Sequence, residues 1–212
     1  MADAVTIRDL RAGDRTDFIE VMALAFEQDP LFLKAFGARG QGRSERAVGS
    51  FLSFMFDMNR LIRGTPRGLF VDGRLAACAL LEPCASPFAS AIGGIASALR
   101  FLPVAIALPL GATAFLNAYT KRTRDAAPQT PHGYLVMVGV LPQAQGRGFG
   151  KLLVEDAIER TRGNPRATGI ALDTENEANV RLYERWGFRR RGSLDLGGVH
   201  AHCMFLPLGE PG

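Results

Sequence analysis

The stretch "VGVLPQAQGRGFGKLL", Val138 to Leu153, decides the fold because it joins an apolar run to a glycine-rich turn and then to a helix. The run "HGYLVMVGVL", His132 to Leu141, is short enough for a buried strand. After the turn, the spacing of apolar residues predicts a helix from about Gly148 to Arg162, which stops at Gly163. Amides in the first turn of a helix have no helical acceptor, so this turn is a predicted anion site.

Three glycine-loop patterns compete for this turn. A P-loop is excluded because Gln145 stands at its first glycine and Leu152 at its Ser/Thr position. The dinucleotide fingerprint fails because its last glycine position falls on Lys151 in one register and on Leu153 in the other. The pattern [QR]-x-x-G-x-[GA] fits residues 145–150 at every fixed position, and an ordinary strand-to-helix turn is the alternative without a ligand.

This third pattern resembles the pyrophosphate loop of the GNAT superfamily of acyl-CoA-dependent N-acetyltransferases. A later block, "LDTENEANVRLYERWGF", is similar to the family's N-x-x-N-x-x-x-Y-x-x-x-G-F segment, which is carried here by Asn176, Asn179, Tyr183, Gly187 and Phe188. The two motifs cover about residues 132–206. Within the superfamily, "AFEQDPLF" and "NVRLYERWGF" resemble puromycin N-acetyltransferase-like members more weakly.

The resemblance implies a mixed α/β (α+β) fold, in which a mostly antiparallel, twisted sheet is flanked by helices and a helical insertion precedes the central strand. It implies one domain over residues 1–212, with acetyl-CoA as cosubstrate and no metal. The implied cosubstrate-binding residues are Val138, Gly139, Val140, Gln145, Gly146, Arg147, Gly148, Phe149, Gly150, Lys151, Asn176, Asn179 and Tyr183.

The family also implies how the reaction is catalysed. A backbone N–H at Val138 or its neighbour is expected to hold the oxyanion, and Gly139 is expected to mark a strand bulge. Tyr183 is the predicted general acid, with packing beside the single tryptophan as the structural alternative. Asn176 and Asn179 either contact the CoA arm or cap a helix.

The general base is the least determined group in the sequence. Glu82, at the end of a predicted strand, is the first candidate, although strand-end glutamates are commonly solvated. Water could serve instead. The weaker candidates are Glu27, Asp29, His132 and His202.

The other predicted elements place this centre in a mixed order of strands and helices. Before the loop, they are a strand at Val5–Leu10, a helix capped by Asp14 or Thr16 that runs to Phe26 before a stop at Pro30, a helix from about Ser44 to Ile62, and a hairpin that turns at Asp72-Gly73. After the helix that ends at Arg162, they are the buried strand "TGIALDT", a short helix capped by Thr174 and Glu177, and the antiparallel pair "FRRRGSLDL" and "VHAHCMFLPL".

Residues 85–127 form the predicted apolar insertion. Residues 101–120 carry no charge, which is long enough for a membrane span, but two prolines, a glycine and an asparagine argue against one. We expect one or two apolar helices here, followed by a polar link at residues 121–131. Residues 87–116 fit either an acceptor cavity or a dimer surface.

Composition narrows the class of protein. The chain has 212 residues, 47% of them apolar, and a net charge of +4 with acidic residues mixed among the arginines. A globular protein without a nucleic-acid or membrane partner is predicted. The only basic cluster, Arg189–Arg191, is expected at a solvated edge. The cysteines lack metal spacing and are expected to be reduced, which fits the cytoplasm: Cys78, Cys84 and Cys203.

The predicted function is transfer of an acetyl group from acetyl-CoA to a primary amine of a small molecule, by direct attack in a ternary complex. The alternatives are a non-catalytic CoA-binding regulatory module and an acetyltransferase acting on protein N-termini or lysines. The identity of the acceptor amine and the length of the acyl chain are not predicted, because a fold does not determine a substrate.

Overall fold

A seven-stranded sheet organises the computed structural model of the protein, which describes residues 4–38, 40, 42–84 and 108–209. The strands are β1 (Val5–Asp9), β2 (Arg67–Val71), β3 (Arg74–Glu82), β4 (Gly133–Val140), β5 (Gly169–Thr174), β6 (Arg189–Leu196) and β7 (Val199–Pro207). The described helices are α1 (Arg15–Ala25), α2 (Pro30–Phe36), α3 (Gly42–Leu61), α4 (Ala112–Ala126), α5 (Phe149–Arg162) and α6 (Glu177–Arg185).

The spatial order of the strands is β1-β2-β3-β4-β5-β7-β6. Neighbouring strands are antiparallel except β4 and β5, which run parallel. The predicted mostly antiparallel sheet is therefore confirmed. The predicted hairpin is confirmed as well: Asp72 (φ 48°) and Gly73 (φ 79°) both take the left-handed conformation that a tight two-residue hairpin turn needs.

The parallel pair separates soon after it begins. Strands β4 and β5 are in register only from Gly133 opposite Ile170 to Leu135 opposite Leu172. Five further residues of β4, residues 136–140, continue without a partner on that side. A gap therefore opens in the middle of the sheet.

A bulge lies at the start of this gap. Leu80 pairs with Met137 and Leu81 pairs with Leu135, so Val136 is the extra residue on β4. The prediction of a bulge at Gly139 was wrong, because Gly139 pairs regularly with Cys78. Gly139 is needed for packing instead: a Cβ there would lie 2.6 Å from the sulfur of Met22 and 2.9 Å from Ala25 Cβ on α1.

Helices cover both faces of the sheet. Helices α1 to α4 pack on one face, where Phe18 and Phe56 are fully buried with ring centroids 5.1 Å apart. Helices α5 and α6 pack on the other face through residues such as Leu153 and Val180. Apolar residues that recur every three or four positions create these buried stripes.

Only the end of the predicted insertion can be compared with the structure, because residues 85–107 lie outside the described residues. Helix α4 continues through Lys121 to Ala126, where a polar link was expected. The polar residues of this segment lie on a helix whose inner face buries Leu116, Tyr119 and Thr123 at helical spacing. Among the described helices, none is long and apolar enough to cross a membrane.

One predicted helix stop and one predicted helix cap were misplaced. The carboxylate of Asp29 accepts hydrogen bonds from the amides of Leu31 and Phe32, so "DP" begins α2 rather than ending α1. The N-cap of α6 is Asn176, which accepts from the Ala178 amide at 2.8 Å, and not Thr174.

Candidate active site

The glycine loop between β4 and α5 leaves its backbone open to a ligand. Gly146 (φ 76°) and Gly148 (φ 80°) take left-handed conformations that side chains rarely adopt, and no protein atom lies within 4 Å of where either Cβ would stand. Gln145 holds the loop to the strand by donating its side-chain amide to the Val140 carbonyl at 3.2 Å.

The first turn of α5 presents free donors toward this open space. Its first helical hydrogen bond runs from the Leu152 amide to the Gly148 carbonyl, at 3.2 Å. The amides of Phe149, Gly150 and Lys151 therefore have no helical acceptor. The Phe149 side chain is buried in the core and anchors the helix, so only its backbone can contact a ligand.

Two basic side chains border the loop. The Arg147 guanidinium lies over the Phe149 ring, 4.7 Å from its centroid. The Lys151 ammonium is 3.4 Å from the Glu155 carboxylate in a half-exposed pair one helical turn away. Both side chains place positive charge at the rim of the loop.

Hydrogen bonding along β4 sorts the predicted strand residues into two groups. The Leu141 amide donates to the Ala76 carbonyl of β3, and amides alternate in direction along an antiparallel ladder. The amide of Gly139 therefore faces β3 and is not available to a ligand. The amides of Val138 and Val140 face the gap, where the ladder with β5 has already ended.

A cavity of about 670 Å³ opens at this gap on the α1–α4 side of the sheet. Strand β4 contributes Val138 to its wall, and β5 and the following turn contribute residues 172–175. From α6, Asn179 and Tyr183 line the same end. The cavity therefore adjoins the strand gap that the Val138 amide faces.

Carboxyl groups converge at this end of the cavity. The Tyr119 hydroxyl lies 2.5 Å from Asp173 Oδ2 and also bonds Glu175, while the Tyr134 hydroxyl bonds the other oxygen of Asp173. A phenol has one proton to donate, so Tyr119 cannot donate to both carboxylates. The phenol proton therefore satisfies only one of these two carboxyl groups.

Burial changes the pKa of two carboxyl groups at this end of the cavity. Burial, reinforced by repulsion from Asp29 and Asp173, raises the pKa of Glu175 to about 8. Burial also raises the pKa of Asp29 to about 6, although hydrogen bonds from the Phe32 and Leu31 amides act in the opposite direction. Glu175 is thus a carboxyl group that exchanges its proton near neutral pH.

Tyr183 is placed for both alternatives that the sequence left open, packing beside the tryptophan and contact with a ligand. Its ring packs edge-on against Trp186 and Phe188, with both centroid distances 5.5 Å, and it also lines the cavity. Burial and the nearby charges of Asp173 and Glu175 raise the pKa of its hydroxyl. The phenol therefore keeps its proton at neutral pH and can donate it.

Glu82 also lines the cavity, but its carboxylate is occupied. It forms an ion pair with Arg124 at 2.8 Å, and that guanidinium stacks on the Tyr134 ring at 3.4 Å from the centroid. The Glu82 carboxylate therefore already has a cationic partner. The structure thus gives Glu82 a structural contact and does not favour it as the base.

The weaker base candidates divide between the cavity and other places. Asp29 lines the cavity, as described above. His132 bonds the Thr130 carbonyl, and His202 lies 3.2 Å from the exposed Glu177, so both are engaged away from the cavity wall. Glu27 borders a separate depression of about 310 Å³.

The two asparagines of the second motif also separate. Asn176 caps α6, which is the structural alternative that the sequence allowed. Asn179 donates to the Thr174 hydroxyl at 3.5 Å and lines the cavity. Only Asn179 is therefore placed to reach a ligand through its side chain in this arrangement.

Sequence reasoning missed Glu175, Asp173, Tyr119 and Tyr134. A signal was present in "TGIALDTEN", where a carboxylate interrupts an apolar strand and a second follows two residues later. No sequence pattern connects Tyr119 with these residues, because it lies 54 positions before Asp173. In the described part of the chain, no group of histidine, cysteine or acidic residues could hold a metal ion.

Comparison with known proteins agrees with this fold. Residues 107–188 match the Acetyltransferase (GNAT) family. Mycothiol acetyltransferase of Paenarthrobacter aurescens is 41% identical over 73 residues, which are 34% of this chain and 23% of that protein.

Two solved structures extend the likeness to the whole chain. The structure of histone acetyltransferase HPA2 and related acetyltransferase from Corynebacterium glutamicum has a TM-score of 0.69 at 19% identity and covers 100% of this chain and 99% of its own. PaiA N-acetyltransferase of Thermoplasma acidophilum, solved in complex with coenzyme A, has a TM-score of 0.61 at 15% identity and covers 97% and 99%. At these identities the likeness establishes the fold.

An open mixed sheet with a glycine loop at the end of a split parallel pair defines the structural class. Over residues 107–188 the chain is similar to the Acetyltransferase (GNAT) family, and its fold is that of the solved acetyltransferase structures. It spans about a quarter of the length of the mycothiol acetyltransferase that it matches.

Proposed function

We propose that this protein transfers an acetyl group from acetyl-CoA to a primary amine of a small molecule. The observation that carries the proposal is the meeting of three features at one place: the free Val138 amide in the strand gap, the cavity, and the proton-exchanging Glu175. The glycine loop provides the diphosphate site, with first-turn amides and open space beside Gly146 and Gly148.

The pantetheine arm would enter the gap between β4 and β5. Amides of Val138 and Val140 face this gap and can pair with amide groups of the arm as a strand would. The thioester carbonyl would then lie near the Val138 amide, which is placed to stabilise the oxyanion of the tetrahedral intermediate.

The acceptor must lose a proton before it attacks. An alkyl amine has a pKa near that of lysine, so only about one molecule in a thousand is neutral at pH 7, a shortfall of about 4 kcal/mol. The Glu175 carboxylate takes one proton from the ammonium group, and the neutral nitrogen attacks the thioester carbonyl. A carboxylate with a pKa near 8 is better matched to this task than an ordinary one.

The second half of the reaction releases CoA. The carbon–nitrogen bond has formed, the carbon–sulfur bond breaks, and Tyr183 donates a proton to the departing sulfur. The amide nitrogen loses its remaining extra proton, which restores the tyrosine. One ammonium ion and one thioester thus give one amide, one thiol and one proton released to solvent.

The size of the cavity, about 670 Å³, favours a small molecule over a protein terminus as acceptor. Its walls come from α2, α3 and α4 as well as from the sheet, so a substrate contacts it on several sides. Thiol release from acetyl-CoA by the purified chain, measured with a panel of small amines and with peptides, tests the proposal. We expect turnover with small amines; turnover with peptides alone contradicts it.

A further inference from the structure

We propose that the acceptor is a primary ammonium ion with a single positive charge and a large apolar body. Its ammonium group binds at the carboxyl end of the cavity, and its body lies against α3. This inference rests on the proposed function. It derives the class of substrate from the chemistry of the two ends of the cavity, one lined by carboxyl groups and the other by apolar side chains.

The carboxyl end lacks a counter-ion. Asp29, Asp173 and Glu175 all line the cavity, and within the described ranges no lysine, arginine or histidine forms an ion pair with any of them. Partly buried carboxyl groups without a cation are unfavourable when ionised, and burial raises the pKa of both Glu175 and Asp29. A bound ammonium ion would supply the missing charge.

The basic residues of the cavity wall are already committed. Arg124 is paired with Glu82 at 2.8 Å, and Lys121 is paired with Asp125 at 2.5 Å. Neither can neutralise the carboxyl end without giving up its partner. The cavity therefore discriminates in favour of a cationic guest at this end and against an anionic one.

The opposite wall is apolar. It is formed by one face of α3, whose residues recur at helical spacing, with the rings of Phe26, which follows α1, and Phe32 of α2. Its members are Phe26, Phe32, Phe51, Phe54, Met55, Met58 and Ile62. A second charge on the substrate would be placed against these side chains without a partner, which is costly.

One polar group stands among these residues. Asn59 is 4% exposed and lines the cavity; its side-chain nitrogen donates to the Leu81 carbonyl at 3.0 Å. Its Oδ1 has no hydrogen-bond partner among the described residues. An uncharged amide on this wall is compatible with a hydroxyl on the apolar body and offers no charge to a second ammonium group.

The substrate is also oriented by this division. The carboxyl end is the end that adjoins the strand gap, because Glu175 and Tyr183 line it together with Val138. Binding the ammonium group there places the reacting nitrogen beside the thioester and beside its base. The apolar body then projects away from the reaction and sets specificity.

Three acceptors of equal length test the inference: n-heptylamine, 6-amino-1-hexanol and 1,6-diaminohexane. With saturating acetyl-CoA, we expect kcat/KM for each of the first two to exceed that for the diamine at least tenfold. From propylamine to heptylamine, kcat/KM should rise by about fourfold for each added methylene group that is buried.

A charge added to the apolar wall should reverse the preference. Met58→Glu supplies a partner for a second ammonium group, so the ratio of kcat/KM for the diamine to that for heptylamine should increase at least tenfold. Leu61→Glu is the matched control: it adds the same charge to the same helix at a residue that is 39% exposed and does not line the cavity. Its ratio should stay within twofold of wild type.

The outcomes separate the inference from the proposed function. If the chain acetylates 1,6-diaminohexane as well as heptylamine, or if chain length has no effect, the substrate class is wrong while acetyl transfer stands. If no amine releases thiol from acetyl-CoA, the proposed function itself fails. An unchanged thermal transition in Met58→Glu shows that any altered ratio arises in the cavity and not from unfolding.

Discussion

Protons at single residues determine what this site can do. Tyr119 has one proton and two carboxyl neighbours, Asp173 and Glu175, and burial raises the pKa of Glu175 to about 8. Glu175 has a raised pKa and lines the cavity, whereas Glu82 forms an ion pair with Arg124. The residue identified as the base thus follows from contacts made by side chains distant in sequence.

The Glu175→Gln variant tests this assignment. Its kcat should fall about 10²- to 10⁴-fold, the range typical of a lost general base. The wild-type profile of kcat/KM against pH should rise through an apparent pKa near 8, since the carboxyl group must be ionised to accept a proton.

Glu82→Gln is the matched control, because it removes a carboxylate from the same cavity. The acidic limb of its profile should remain where the wild type has it. A limb that survives in Glu175→Gln and shifts in Glu82→Gln would return the base assignment to Glu82.

The Tyr183→Phe variant separates acid catalysis from packing. It keeps the ring contacts with Trp186 and Phe188 but removes the hydroxyl. We expect kcat to fall at least about a hundredfold while KM for acetyl-CoA changes less than threefold. Full kcat in steady-state assays would show that the tyrosine is only a packing residue.

The elements that hold the loop are connected by a partly buried ion cluster. Arg67 on β2 is 7% exposed and makes two hydrogen bonds of 2.7 Å to Asp156 on α5, and it also bonds Asp9 on β1. Arg160 bonds the same Asp9 at 2.7 Å. Helix α5, whose first turn forms the anion site, is therefore fixed to the sheet by charge as well as by apolar packing.

Replacing Arg67 by Met should destabilise the protein by about 2 kcal/mol or more, because Asp156 loses a bidentate partner in a mostly buried position. Urea unfolding measures the change. The exposed pair of Lys121 and Asp125 is the control, since Lys121→Met should cost less than about 1 kcal/mol. Equal changes in the free energy of unfolding for the two substitutions would show that the cluster stabilises the protein no more than an exposed ion pair does.

Most elements could be predicted from the sequence because they depend on local patterns. The glycine loop, the hairpin at Asp72-Gly73 and the helix ending at Arg162 were all foreseen. The bulge at Val136 was not, since it depends on how β3 pairs with β4. The carboxyl cluster was not predicted for the same reason, because α4, β4 and β5 meet only in the folded chain.

At the scale of the whole molecule, the raised pKa of Glu175 makes the stability of the folded state depend on pH. The raised pKa of Glu175 means that the folded state holds a proton that the unfolded chain has released above its ordinary pKa of 4.5. The stability contributed by this proton is present below about pH 4.5 and is lost as the pH rises through about 8. Asp29 acts in the same direction up to about pH 6.

Glu175→Gln should therefore change the pH dependence of thermal stability. Its melting temperature should lie close to that of the wild type at pH 5 and above it at pH 8.5, because glutamine accepts the Tyr119 hydrogen bond without a charge. Melting curves over this pH range measure the difference. A difference that is the same at both pH values would show that Glu175 ionises as readily in the folded chain as in the unfolded chain.

The account as a whole depends on acetyl-CoA binding at the loop after β4. Isothermal titration calorimetry of the purified chain with acetyl-CoA, alongside Gly148→Ala and Gly13→Ala, tests this directly. Alanine at the left-handed Gly148 should weaken binding about 5- to 30-fold, while Gly13→Ala, which has open space and no left-handed backbone, should bind like the wild type. Absence of binding by the folded wild-type chain, or equal affinity in Gly148→Ala, would contradict the account.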